Sequence, residues 1–187
     1  MQKKDPSEQN LAGYLLAAHP SLQDPNFIKS IILMATYDEE EGSVGVIINR
    51  PLNETLGSKA SHFAHTPLAG VPLFIGGPVG VDQIILTAWQ WIAPGNVFKF
   101  HFGITEAQAC DLLETDPHVH LRGFVGHSGW TTDQLTEEIE QHTWLVTPVD
   151  SQIIKHSVRP NIWLDLIASI RPELMLLAAA PEDPSLN

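Results

Sequence analysis

The segment TEAQACDLLETDPHVHLRGFV, residues 105–125, decides the fold class because it places a helix directly before a strand. Thr105 and Gln108 have the spacing of a capping box, in which the two side chains satisfy backbone N–H groups at a helix start. From Ala109 onwards, apolar side chains recur at i, i+3 and i+4, which predicts one buried helix face. Pro117 ends this helix, and the apolar, β-branched residues that follow predict a strand.

The same order continues after this strand. Gly126–Trp130 is predicted to be a tight loop, and Thr131–Gln134 has the spacing of a second capping box before another helix. Trp144–Thr147 then predicts a strand, and Asn161–Ile170 predicts a final helix. Strands that alternate with helices are typical of a mixed sheet with helices packed on it.

The first half of the chain is predicted to be mostly strands. Asp38–Gly42 joins two apolar runs as a hairpin, and these runs are continuous enough to predict a sheet covered on both faces. Pro51 is expected to end the second of them, because proline lacks the N–H that a ladder needs. Thr55–His65 has room for a short helix. The predicted strands are Gly13–Ala18, Phe27–Tyr37, Val44–Asn49, Pro72–Ile75, Gln83–Trp89 and Val97–Phe102.

Length and composition limit the class of protein. The chain has 187 residues with 10 Lys+Arg against 22 Asp+Glu, a net charge of −12, so direct contact with nucleic acid is not expected. The single cysteine, Cys110, has no internal disulfide partner, which fits a reducing cytoplasm. The apolar run Leu11–Ala18 is too short for a membrane span and is interpreted as a strand rather than a signal peptide. We therefore expect a flexible arm at 1–10, one domain at 11–187, and no membrane association.

Two stretches contain candidate ligand-binding residues. Gly76 and Gly77 follow a strand, where glycine permits close approach by a ligand or, as the favoured alternative, a simple structural turn. Asn49 and Arg50 end another strand. A guanidinium there either binds a ligand carboxylate or phosphate, or orders the neighbouring loop through an internal salt bridge. The residues alone leave both alternatives open.

Gly129 and Trp130 complete the candidate set, because the N–H groups of their loop and the next helix N-terminus form a candidate anion site. The alternative for Trp130 is a core anchor whose indole N–H has a partner. Ser128 resembles the serine of a nucleophile elbow, but Trp130 stands where the last glycine of that motif belongs. No catalytic residue is therefore assigned.

Neither a metal nor any other cofactor is predicted. His118 and His120, like His62 and His65, have spacings that can chelate a metal, but neither pair belongs to a stronger motif. Cys110 has acidic neighbours, which disfavour a reactive thiolate. The solvated face of the helix that follows Trp130 is predicted to carry its acidic residues, Asp133, Glu137, Glu138 and Glu140.

Five motifs in order resemble the bacterial AlgH/YqgE family, and the resemblance covers roughly residues 11–170. They are Asp24–Phe27, Gly45–Leu52 with Thr55–Gly57, Gly76–Val79, Gly126–Trp130 and Gln134–Ile139. The resemblance implies one mixed α/β (α+β-like) domain, with a bent, mostly antiparallel mixed sheet flanked by helices. The family is often labelled as transcriptional regulators and has no established catalytic residues, so no site is carried over.

Three functions follow as hypotheses. The favoured one is a non-catalytic regulatory or binding protein that acts through a protein partner or a small anionic ligand. One alternative is a hydrolase-like or metal-assisted enzyme with an unrecognised site. The other is a DNA-binding transcriptional regulator, which the charge argues against, since residues 1–95 carry −4 and residues 96–187 carry −8. The candidate ligand-binding residues are Asn49, Arg50, Gly76, Gly77, Gly129 and Trp130.

Overall fold

The computed structural model describes residues 10–38, 40, 42–92, 95 and 97–180. The predicted arm, apart from Asn10, and the last seven residues of the predicted domain lie outside the described residues. Nine strands form one sheet. They are β1 (Tyr14–Ala18), β2 (Ile31–Asp38), β3 (Gly42–Ile47), β4 (Pro51–Thr55), β5 (Pro72–Ile75), β6 (Val79–Ile92), β7 (Val97–Phe102), β8 (His120–Trp130) and β9 (Trp144–Pro148).

Six α-helices occur among the described residues, and none of them is long and apolar enough to cross a membrane. They are α1 (Leu56–Lys59), α2 (Glu106–Thr115), α3 (Thr132–Glu140), α4 (Ser151–Lys155), α5 (Ile162–Ile170) and α6 (Met175–Ala178). The helix predicted after Thr105 begins with the expected capping box, because Thr105 Oγ1 accepts from the Gln108 N–H and Gln108 Oε1 accepts from the Thr105 N–H. At the start of α3, Thr131 accepts from the Gln134 N–H, but the reciprocal bond of the predicted second capping box is not formed, and the Gln134 side chain donates to Glu138.

The sheet has the order β4-β5-β8-β3-β2-β1-β9, with β6 and β7 branching from β8. Only β5 and β8 pair in parallel among the described strands. β8 joins the two parts of the sheet, since its first half pairs with β5 and β6 and its last residues, Ser128–Trp130, pair with β3. Gly126 lies between these halves with φ of +69°, so the strand bends there. The predicted mixed α/β fold is confirmed.

Both faces of the central strands are covered, as predicted. Leu15, Leu33 and Val46 point to one face, where they pack against α5. Residues one position along, such as Leu16 and Ile32, point to the other face, where Leu135 of α3 packs on them. The alternation follows from the period of two in a strand. A third core lies beneath α1 and α2.

Two local predictions, for Gly126–Trp130 and for the start of the second strand, are wrong. Gly126–Trp130 is not a tight loop, because the bend at Gly126 redirects β8 onto β3 instead of ending it. The second apolar run does end before Pro51, as predicted, because β3 ends at Ile47; Pro51 then begins β4, an unpredicted strand in which its missing N–H is tolerated. Phe27–Ser30 forms a turn, so the predicted strand begins only at Ile31. The short helices α4 and α6 were not predicted.

Candidate functional site

Gly76 and Gly77 lie where β5 approaches β8. The Gly76 N–H donates to the Val125 carbonyl at 2.9 Å. A Cβ on Gly76 would collide with the carbonyl oxygen of Gly126, and one on Gly77 would collide with the backbone of His127. The backbone of β8 therefore occupies the space beside these glycines that a ligand would need. This agrees with the alternative that they form a structural turn.

Asn49 and Arg50 hold the turn that precedes β2. Arg50 donates from Nη1 to the Asn26 carbonyl at 2.7 Å and from Nη2 to the Ile28 carbonyl at 2.8 Å. Asn49 donates from Nδ2 to the Lys29 carbonyl at 2.9 Å and accepts the first N–H of β2 at 2.8 Å. Partial burial lowers the pKa of Arg50. The guanidinium orders a loop through carbonyl oxygens, not through the expected salt bridge.

Trp130 is a core anchor with a satisfied indole. It is 6% exposed and stacks on Phe27, with ring centroids 6.2 Å apart. Its Nε1 donates to Glu138 Oε2 at 2.9 Å, and Nε1 of Trp144 donates to the same oxygen at 2.6 Å. Nε2 of Gln134 donates to the other carboxylate oxygen of Glu138, Oε1, at 2.8 Å. The prediction that Glu138 lies on the solvated face is therefore wrong. Its i, i+4 spacing from Gln134 was the feature of the sequence that could have indicated the hydrogen bond between the two side chains.

The six sequence-predicted residues do not converge on one pocket. Asn49, Arg50, Gly76 and Gly77 lie around the end of β3, where the Ile75 N–H donates to the Arg50 carbonyl at 2.9 Å. Gly129 and Trp130 pair with the opposite end of β3. There they border a cleft at the start of α3 whose charged side chains, Glu40 and Asp133, are both acidic. That charge disfavours an anion.

The described residues hold no assembled catalytic or metal-binding group. Ser128 is 0% exposed and donates its hydroxyl to the Gly76 carbonyl at 3.2 Å. His120 stacks on Trp89, whereas the His127 ring lies beside Gly80. No cluster of three or more His, Cys, Asp or Glu side chains is placed to hold a metal in the part of the chain that the structure describes.

Arg122 is a buried cation that the sequence did not reveal. Its guanidinium lies 4.2 Å from the ring centroid of Phe74 and 4.7 Å from that of Trp89. It donates to the carbonyls of Ile48 at 3.1 Å and Ile154 at 3.4 Å. Burial lowers the pKa of Arg122 to about 10. These contacts join β8 to the residue that follows β3 and to α4, which gives the side chain a structural role.

A groove of about 310 Å³ lies between α3 and β9 and ends at the C-terminus of α5. Its wall is mostly apolar, and Leu135 and Trp144 at its base belong to the core beneath α3. The polar lining residues are Thr136, Glu140, His142 and Arg171. The apolar lining residues are Leu11, Tyr37, Leu135, Ile139, Trp144, Leu145, Val146 and Ile170.

Basic side chains gather at one end of this groove. His142 and Arg171 line it, and both lie close enough to His19 to affect that imidazole. Burial chiefly lowers the pKa of His19, and the positive charges of His142 and Arg171 lower it further. One guanidinium, that of Arg171, and one imidazole, that of His142, therefore lie beside Glu140 at this end of an apolar groove.

His142 adopts a strained backbone at this corner. Its φ is +59°, in the left-handed region where glycine is usual. The His142 N–H donates to the Ile139 carbonyl at 3.0 Å, and the Thr143 N–H donates to the Glu138 carbonyl at 2.8 Å. These two bonds form a Schellman motif that ends α3. A histidine therefore occupies, at the mouth of the groove, a position that a glycine would occupy without strain.

Comparison with known proteins identifies the family. A family model described as AlgH-like matches residues 15–175. A UPF0301 protein of Streptomyces coelicolor is 32% identical over 191 aligned positions, which cover 95% of this chain and 96% of that protein. A UPF0301 protein of Legionella pneumophila strain Paris is 33% identical over 153 positions, which cover 78% and 81%.

Two solved structures share the fold. The crystal structure of a Corynebacterium diphtheriae protein has a TM-score of 0.69 at 22% identity, and the match covers 96% of this chain and 95% of that one. The solution structure of the AlgH protein from Pseudomonas aeruginosa has a TM-score of 0.63 at 22% identity, with 98% and 100% covered. At this identity the two structures establish the fold alone. The matched sequence model shows that the chain belongs to the AlgH-like family.

Proposed function

We propose that this protein is a non-catalytic binding protein of the bacterial cytoplasm, which regulates another process by holding a small amphipathic ligand in the α3–β9 groove. One observation carries the proposal: an apolar groove built on the core ends at a corner formed by His142 and Arg171. Its volume of about 310 Å³ lies within the range of small-molecule sites. Apolar walls with a few polar groups at one end are typical of such sites.

The lining chemistry supports binding rather than catalysis. The charged and imidazole groups of the groove, Glu140, His142 and Arg171, have exposed positions at its rim, while the base is apolar. A catalytic site needs a nucleophile or a proton donor within hydrogen-bond reach of a bound substrate. The groove is lined by the hydroxyl groups of Tyr37 and Thr136, and neither is hydrogen-bonded to a carboxylate or an imidazole within the described residues.

A second, wider cleft suits an anionic ligand less well. It lies beside α1 and α2 and measures about 690 Å³. Its charged side chains include Asp82 and Glu106, and the latter lies 3.5 Å from the exposed imidazole of His62. Unlike the α3–β9 groove, this cleft is lined by two carboxylates and by no Lys or Arg among the described residues, so nothing offsets their repulsion of a small anion. Direct DNA binding has no comparable support, since both halves of the chain are acidic.

The proposal can be tested with an amphipathic fluorophore and one groove-filling variant. We expect 8-anilinonaphthalene-1-sulfonate to bind saturably to the folded protein and to shift the amide NMR signals of α3 and β9. Thr136→Trp places an indole in the groove and is expected to abolish this binding. Ala168→Trp, on the exposed face of α5, is the matched control and is expected to bind like the wild type. Signal shifts confined to other surfaces, or unchanged binding to Thr136→Trp, would contradict the proposal.

A further inference from the structure

The charge at the end of the groove defines what kind of head group it accepts. Arg171 lines the groove, and its guanidinium carries five N–H donors. One nitrogen, Nη1, lies 3.3 Å from the Glu173 carboxylate in an ion pair whose two side chains are 52% and 61% exposed. An ion pair this exposed is weak, so the remaining donors are available to a ligand. A guanidinium fork fits the two oxygens of a carboxylate.

An imidazole beside Arg171 provides a second hydrogen-bonding group for the head group of a ligand. His142 is held there by the Schellman motif that ends α3. His19 lies close enough to both residues to be affected by their charges, and its Nδ1 is 2.7 Å from the hydroxyl oxygen of Ser21. The His142 imidazole and the Arg171 guanidinium therefore provide hydrogen-bond donors at one end of the groove.

Glu140 limits the charge that the corner accepts. It also lines the groove, one turn or less from His142 at the end of α3. A single negative charge can contact Arg171 while staying apart from this carboxylate. A phosphate group carries nearly two negative charges, so the Glu140 carboxylate would repel it more strongly at the same position. The rim therefore favours a monoanion.

The groove also limits the size of the apolar part. A volume of about 310 Å³ corresponds to about ten water volumes. A chain or ring of similar size contacts Leu135, Ile139 and Val146 along its length. Each buried methylene is expected to strengthen binding by about threefold to fourfold until the groove is full.

We infer that the ligand class is a monocarboxylic acid of roughly eight to ten carbon atoms in all, with its carboxylate at Arg171 and His142 and its apolar chain beneath α3. This inference rests on the proposed function, because it names the ligand of the same groove. The binding is a reversible association and forms no covalent bond.

The test compares octanoate with octanol, which have the same apolar chain and differ in head group. Calorimetric titration of the wild type is expected to give at least about tenfold tighter binding of octanoate. Arg171→Gln is expected to remove that difference and leave octanol binding unchanged. Arg159→Gln is the matched control, because Arg159 is similarly exposed, at 54%, and pairs with Asp165 away from the groove.

The outcomes separate the inference from the proposed function. If octanol and octanoate bind equally in the groove, or if Arg171→Gln leaves the preference intact, the carboxylate inference is wrong and the groove remains a binding site. If neither probe nor the naphthalene sulfonate shifts the α3 and β9 signals of the folded protein, the proposed function is wrong as well. Equal losses for Arg171→Gln and Arg159→Gln would show a general charge effect and would overturn the inference.

Discussion

Replacing His142 by glycine is expected to stabilise the fold and weaken ligand binding at the same time. The residue has φ of +59° and ends α3 through two backbone hydrogen bonds that glycine can keep. A side chain in this conformation costs about 1–2 kcal/mol. Glycine loses about 0.5–1 kcal/mol more conformational entropy on folding. The variant should therefore gain about 0.5–1 kcal/mol in the free energy of unfolding.

Binding should change in the opposite direction. His142→Gly removes an imidazole from the corner where the carboxylate is proposed to lie. Losing one hydrogen bond of ordinary strength is expected to weaken octanoate binding by about twofold to tenfold. A stability gain with an affinity loss is the pattern expected when backbone strain is retained for function.

Urea unfolding followed by tryptophan fluorescence measures the first effect, and titration with octanoate measures the second. Glu137→Gly, at an exposed position within α3, is the control, because glycine in a regular helix should cost about 1 kcal/mol and leave binding unchanged. A His142→Gly protein that is less stable than the wild type would refute the strain argument. Unchanged octanoate affinity would refute the role given to the imidazole.

Three further predictions concern the rest of the fold. Glu138→Ala should lower the free energy of unfolding by about 2–4 kcal/mol, because two indole N–H groups lose their acceptor. Glu138→Gln keeps an acceptor oxygen and should lower it less. Equal losses for the two variants in urea unfolding would contradict this. Burial is the first cause that lowers the pKa values of His19, His101 and His120. The unfolded chain therefore binds more protons, so stability should be intact above pH 6.5 and fall as the pH drops below it. Urea midpoints that stay constant from pH 7.5 to 5.5 would rule this out. Gly126→Ala should cost more than about 2 kcal/mol, since φ is +69° and a Cβ would lie 2.5 Å from a carbonyl oxygen; a melting temperature equal to that of the wild type would exclude it.

The predictable parts of the fold are those set by local chemistry. The capping residue Thr105 and the apolar spacing behind it locate α2, and the hairpin between β2 and β3 follows from its acidic, glycine-ended turn. The path of β8 could not be predicted, because glycine at position 126 is equally compatible with a loop and with a bend. Only the pairing of Ser128–Trp130 with β3 distinguishes them.

None of the six residues that the sequence predicted as ligand-binding lines the α3–β9 groove. Arg50 and Gly76 have the residue types of a ligand site, but their neighbours in space are backbone atoms that no local pattern reveals. The α3–β9 groove combines residues from Leu11 to Arg171 and depends on how α3, β9 and α5 pack. The strained end of α3 was also hidden, since the sequence has His142 where a glycine would have marked it.

The position of bound octanoate tests the central proposal most directly. Isotope-filtered NOE measurements on the wild-type protein should show contacts from the terminal methyl group of the ligand to Ile139 and Val146, which line the groove. The methylene next to the carboxylate should contact the side chain of Arg171. Contacts at Asn49 and Arg50 instead, or no saturable contact with the folded protein, would contradict the account.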